Sequence, residues 1–76
     1  MNNTLKLTGE QLRFLRTLKR VKQPVLASKL GVKQQAVSKM ENKDCITCDK
    51  VQQYLQALGL QMEEALKLLE LMPSGN

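Results

Sequence analysis

Apolar residues recur along this chain at three- and four-residue spacing, and five times the pattern is bounded by residues suited to starting or stopping a helix. Thr8-Gly9-Glu10-Gln11 reads as a capping box, in which the Thr oxygen takes an orphan N–H and Gln11 reaches back. The helix that follows has a buried stripe of Leu12, Leu15 and Leu18 with Val21, and turns Arg13, Thr17, Lys19 and Arg20 outward. A second, short helix opens with Pro24 at its first position, where the missing N–H costs nothing. Its inward face is Leu26, Ala27 and Leu30, and Gly31 ends it in a left-handed turn. The chain restarts at Lys33 or Gln34, with Ala36, Val37 and Met40 inward and Lys33, Gln34, Gln35, Ser38 and Lys39 outward.

Thr47 caps a fourth helix with a stripe of Val51, Tyr54 or Leu55, and Leu58, ended by Gly59. A fifth is expected over 61–72, stopped by Pro73. Here the apolar pattern overshoots: Met62, Ala65, Leu66, Leu68, Leu69, Leu71 and Met72 cover more than one face. Surplus apolar surface points to a partner, and a second copy of the chain is the expected one. The competing expectation is that this helix packs across the first one and Phe14, a residue just off the first stripe that suits either a core or a subunit contact. Residues 1–6 have no cap and little pattern and read as an arm, with Leu5 and Leu7 available to fold back onto the core.

The stretch 23–42, QPVLASKLGVKQQAVSKMEN, resembles the helix-turn-helix of the phage repressor and Cro family, also called the XRE family. The likeness lies in Gln23 opening the first helix, the Leu26-Ala27 pair, the turn glycine Gly31 four residues on, apolar Val32, inward-facing Val37 and the closing Glu41. YLQALGL, residues 54–60, is similar to the family's usual ending of the fourth helix. The resemblance implies an all-α, five-helix bundle of the lambda-repressor-like type. It divides the chain into an arm (1–7), a helix-turn-helix domain (8–60), a C-terminal helix suited to dimerisation (61–72) and a tail (73–76). It also implies an ion pair between Arg16 and Glu41 that holds the scaffold beneath the reading helix. Two positions depart from the family: Lys33 stands where a Ser or Thr cap is usual, and Lys43 where Gly often follows the Glu-Asn pair.

Composition sharpens the picture by its distribution. Residues 1–43 carry ten Lys or Arg against two Glu, +8, and residues 44–76 carry two against five acids, −3, which together give the net +5. The basic half contains the two-helix unit, the footprint expected for a polyanion. Seventy-six residues with one Phe, one Tyr and no Trp make one small domain with a core of Leu, Val, Ala and Met. No signal peptide or apolar run of membrane-spanning length is present in the sequence, so a soluble, cytoplasmic protein is expected.

In helix-turn-helix docking the second helix lies in the major groove and the first rests its N-terminus on the phosphate backbone. A Gln side chain has both a donor and an acceptor, which suits the adenine edge. Gln34 and Gln35, and Ser38 and Lys39 one turn on, are therefore the candidate base contacts. Gln23, Lys33, Asn42 and Lys43 are the candidate phosphate contacts on double-stranded DNA. No nucleophile and base constellation exists and there is no His, so no catalysis and no cofactor are expected. The expected activity is that of a transcriptional regulator, a repressor by preference; an antitoxin or adaptor that binds a different protein through the last helix is the alternative. Cys45 and Cys48 form a C-x-x-C, but two thiolates are half of a tetrahedral site, so zinc would have to be shared between two chains. They are read as ordinary residues of a connecting loop and the helix start.

Overall fold

The computed structural model describes residues 6–73. Five helices run through the described residues: α1 (Gly9–Leu18), α2 (Gln23–Leu30), α3 (Gln34–Glu41), α4 (Cys48–Leu58) and α5 (Met62–Leu69). The expectations for Leu5 and for the last three residues fall outside that range. Helix α1 packs against α3, α4 and α5, and α2 packs against α3 and α4, so α1 and α4 form the middle of the bundle. The core they enclose is Leu12, Leu15, Leu26, Val37, Val51, Tyr54 and Leu55, with Ala65 brought in by α5. At this chain length such a core is small, and each of these side chains is close to fully excluded from water.

Helix α1 begins as its sequence requires. Gln11 N donates to Thr8 Oγ1 at 3.0 Å and Thr8 N donates to Gln11 Oε1 at 2.8 Å, completing the reciprocal cap. Gly9 has a second task that its place in the box does not reveal. A Cβ at Gly9 would lie 2.4 Å from the Met40 carbonyl oxygen and 2.5 Å from the Glu41 carbonyl carbon, closer than carbon can sit. Its N–H donates to Lys43 O at 2.9 Å. The start of α1 is thus pressed directly against the end of α3, and only glycine permits it.

Beside this contact, Leu7 and Ile46 form an isolated antiparallel bridge in which Ile46 N donates to Leu7 O at 2.7 Å. Both side chains are buried. Leu7 therefore does fold back onto the core, and it holds the loop between α3 and α4.

Several sequence expectations are corrected. Leu18 is 42% exposed because α1 ends there and the chain turns away through Arg20, whose φ is +60°. Ala36 is exposed, leaving Val37 and Glu41 as the buried residues of α3. Pro24 occupies the second position of α2, one turn-residue later than expected, because Gln23 is already helical. Thr47 stands at the N-cap of α4 but its side chain makes no capping hydrogen bond. Helix α5 closes at Leu69 rather than at 72, since Glu70, Leu71 and Met72 donate to residues three back and tighten the chain ahead of Pro73.

The surplus on α5 resolves into two parts. Ala65 is buried, and Met62, Leu68 and Leu69 are half-buried against the core, so the helix packs on α1 and α4. Leu66 and Leu71 stay exposed. Together with Leu18, Leu60 and Leu68, Leu71 lines a shallow apolar depression edged by Lys19, Glu64 and Lys67. Phe14 is half-buried on α1.

Candidate nucleic-acid interface

Gly31, with φ +71°, turns the chain between α2 and α3 and leaves open space around its α-carbon. Both helices of this unit start at a lysine. Lys22 and Lys33 hold the N-cap positions of α2 and α3 in extended backbone conformation, and neither makes a side-chain cap. The first-turn N–H groups of both helices therefore lack a side-chain partner of the kind Ser, Thr, Asn or Asp would supply; Ala36 N donates instead to Lys33 O at 2.9 Å, and each helix start carries partial positive charge.

Beneath the unit lies one buried carboxylate. Glu41 ends α3 with a side chain only 2% exposed. Arg16 Nε donates to Glu41 Oε2 at 2.7 Å and Arg16 Nη2 donates to Oε1 at 3.1 Å, the two-pronged arrangement that suits guanidinium to carboxylate. Arg16 Nη1 also donates to Val21 O at 2.9 Å, tying the α1–α2 turn to the same point. The Tyr54 hydroxyl, from the centre of α4, donates to Glu41 Oε2. Gln23 Nε2 completes the set with a 2.9 Å hydrogen bond to Oε1.

These bonds decide the charge of the site. Burial pushes the Glu41 carboxyl up, but the hydrogen bonds from Arg16, Tyr54 and Gln23 and the charge of Arg16 outweigh it and hold the group below its ordinary value of 4.5. The Arg16 guanidinium is raised, first by its hydrogen bond to Glu41. Tyr54 is pushed well up by burial and by its bond to the carboxylate, which keeps its proton in place as the donor.

The carboxylate reaches the surface through two amides. Because ionised Glu41 can only accept, Gln23 must turn its NH₂ inward, and its Oε1 is left pointing out. Gln34 Nε2 donates to that oxygen at 3.2 Å. The exposed amide of Gln34 therefore stands with one N–H engaged and with its other N–H and its Oε1 free.

Of the sequence-predicted site residues, Gln34, Gln35 and Lys39 are exposed on one face of α3. Ser38 is half-buried, and its carbonyl accepts from Asn42 Nδ2 at 3.0 Å, so the Asn42 amide is turned back on its own helix. Lys33 and Lys43 are exposed at the two ends of α3. Gln23 departs most from expectation, because its side chain is a link between Glu41 and Gln34 and only its backbone N–H faces an open helix end. Sequence reading missed Tyr54 as a partner of Glu41 beside Arg16 and Gln23. The one signal for it was a tyrosine on an otherwise aliphatic buried stripe, where a hydroxyl needs a polar partner.

Residues 12–65 match the family model described as helix-turn-helix. The chain belongs to the XRE family of helix-turn-helix proteins, the lambda repressor and Cro type. No match to it was found among curated proteins or among solved structures. As an XRE-family domain it falls in a class of DNA-binding transcription regulators, and DNA is the partner of that class. No helix among the described residues of this XRE domain is long and apolar enough to cross a membrane. Its two cysteines are free, Cys45 exposed in the loop before α4 and Cys48 half-buried as the first residue of α4. Among the described residues no group of three or more His, Cys, Asp or Glu gathers as a metal site.

Proposed function

We propose that this chain is a dimeric, sequence-specific repressor that lays α3 in the major groove. The observation that carries the reading is the chain of bonds from Glu41 through Gln23 to Gln34, which presents a preset donor and acceptor on an exposed helix. The free N–H and Oε1 of Gln34 match adenine N7 and N6 in the major groove. Gln35 and Lys39 supply further base contacts, and Ser38 lies beside them. The starts of α2 and α3, with Gln23 N–H and Lys33, take phosphates, and Lys43 clamps the backbone at the far end of α3, where the Asn42 amide is held back on Ser38 O.

Two such heads one turn of duplex apart read a palindrome. The depression between Leu18 and Leu71 supplies the contact, with the Glu64 and Lys67 rims of two copies facing each other. Occupying the site blocks other proteins from the same DNA, which is repression. The exposed Leu66 and Leu71 equally suit an unlike protein, and a stoichiometric partner recovered with the wild-type chain but not with Leu71→Glu would favour that reading.

The test is selection from a pool of random duplexes, read by fluorescence anisotropy at several salt concentrations. A palindrome with adenine at the Gln34 position should emerge, and log affinity should fall with log salt with a slope of about −5 to −9, as expected when some six to ten phosphates are neutralised. Gln34→Ala should flatten preference at that base more than it lowers nonspecific binding. Weak binding without any sequence preference would overturn the reading.

A further inference from the structure

The same face carries a second feature, which shares Lys39 and Lys43 with the proposed DNA contacts. Between the side of α3, the loop before α4 and the first turns of α4 lies a cleft of about 350 Å³, at the small end of the range for ligand sites. Its floor is apolar: Leu30, Ala36, Met40 and Ile46, with Val32 from the turn. Val32 is 44% exposed in the turn and Ala36 is exposed on α3, so apolar surface is left open beside the polar outer face of that helix. Lys39, Lys43 and Lys50 stand around it, all exposed. No acidic residue lines it, and among the described residues the sole ion pair is Arg16 with Glu41.

We infer that this cleft binds a small amphiphilic carboxylate as a free molecule, and that the bound acid competes with DNA. The floor asks for an aliphatic body, which a DNA phosphate does not have. The three ammonium groups ask for a single anionic head, and a cleft lined by one sign of charge over apolar walls concentrates such a ligand. The volume limits the occupant to a short chain or a single ring. Competition follows because Lys39 and Lys43 belong to both surfaces; the carboxylate that neutralises them removes groups assigned to DNA, and by linkage DNA expels the acid to the same degree. The competition rests on the DNA reading, whereas the binding does not.

Octanoate is the probe, with octan-1-ol as its uncharged counterpart and acetate as the ionic-strength control. Titrated into the isotope-labelled full chain, octanoate should give saturable amide shifts at Val32, Met40 and Ile46, and octan-1-ol should bind about tenfold more weakly for want of the charge. Lys50→Gln, which carries no assigned DNA contact, should fold normally and weaken octanoate binding about threefold. Octanoate but not acetate should raise the dissociation constant for the selected duplex. Shifts that do not saturate, that centre on Leu18 and Leu71, or that octan-1-ol reproduces equally would overturn the site. Saturable binding in the cleft with duplex affinity unchanged relative to acetate would overturn the competition. If the chain binds no duplex selectively yet the cleft shifts appear, the DNA reading fails and the cleft stands.

Discussion

Glu41 is the residue that ties α1, α2 and α4 to the end of α3. Four side-chain donors meet its two oxygens, and with the carboxylate nearly out of water, loss of a partner leaves charge uncompensated. Arg16→Met should therefore cost about 3 kcal/mol or more in denaturant unfolding, the scale for breaking a buried pair from one side. Tyr54→Phe should cost about 1.5–3 kcal/mol, one hydrogen bond to a charged group. The pH dependence has a definite sign. Since Glu41 titrates lower in the folded chain than its ordinary 4.5, the unfolded chain binds more protons just below that value, so stability should fall as pH drops from about 4.5. Tyr54 is raised, so above its ordinary 10.0 the unfolded chain loses its proton first and stability should fall again as pH rises. Melting temperature measured across both limbs, in wild type and in Tyr54→Phe, checks this: the alkaline limb should be weaker in the variant.

At the scale of elements, the contrast between glycines separates packing from backbone conformation. Gly9→Ala drives a methyl group into the backbone at the end of α3 and should destabilise by about 1–3 kcal/mol. Gly31→Ala meets no neighbour, and its cost should be only that of a left-handed alanine, about 1–2 kcal/mol. If the close approach matters as the geometry implies, only Gly9→Ala should also reduce affinity for the selected duplex, because it displaces α3. The caps give a second prediction. Lys33→Thr installs the missing side-chain acceptor on α3 and should raise stability by about 1 kcal/mol, while weakening DNA binding about equally for all sequences, since a phosphate contact is lost. Chemical denaturation and anisotropy on the same preparations would check both halves.

The helices were legible in the sequence because their punctuation is local. Thr8 with Gln11, Gly31 and Gly59 mark ends by interactions spanning a few residues, and the buried stripes of α2 and α4 repeat at helical spacing. What escaped was set by long-range contact. Leu18 has the right spacing for the core but lies where α1 runs out of neighbours. Gly9 reads as a neutral member of a capping box, yet its constraint comes from residues 40 and 41. The end of the site on Gln34, Gln35 and Lys39 could be proposed from residue type and helix register. The link through Gln23 could not, because the orientation of an amide depends on which partner's charge it meets.

For the whole molecule, the uneven distribution of charge and apolar surface separates two regions. The basic half carries α2 and α3, and the more acidic half carries α5, whose outer side with Leu18 holds the exposed leucines. Leu71→Glu should leave the melting temperature nearly unchanged, because Leu71 is 68% exposed. It should abolish self-association in sedimentation and flatten the salt dependence of operator binding to that of a single head, roughly half the slope. An unchanged sedimentation coefficient would argue that α5 serves a different partner.

The bridge between Leu7 and Ile46 joins residues far apart in the chain. The Ile46 amide sits in a loop, where amide protons ordinarily trade with solvent within seconds to minutes, but its proton is held by the Leu7 carbonyl beneath buried side chains. Its deuterium uptake should be as slow as that of the central amides of α4, because releasing it means lifting Leu7 from the bundle. That single amide then serves as a clock for the whole structure. Any change that loosens the contact between α1 and α3, Gly9→Ala first among them, should quicken it before the helices themselves begin to exchange.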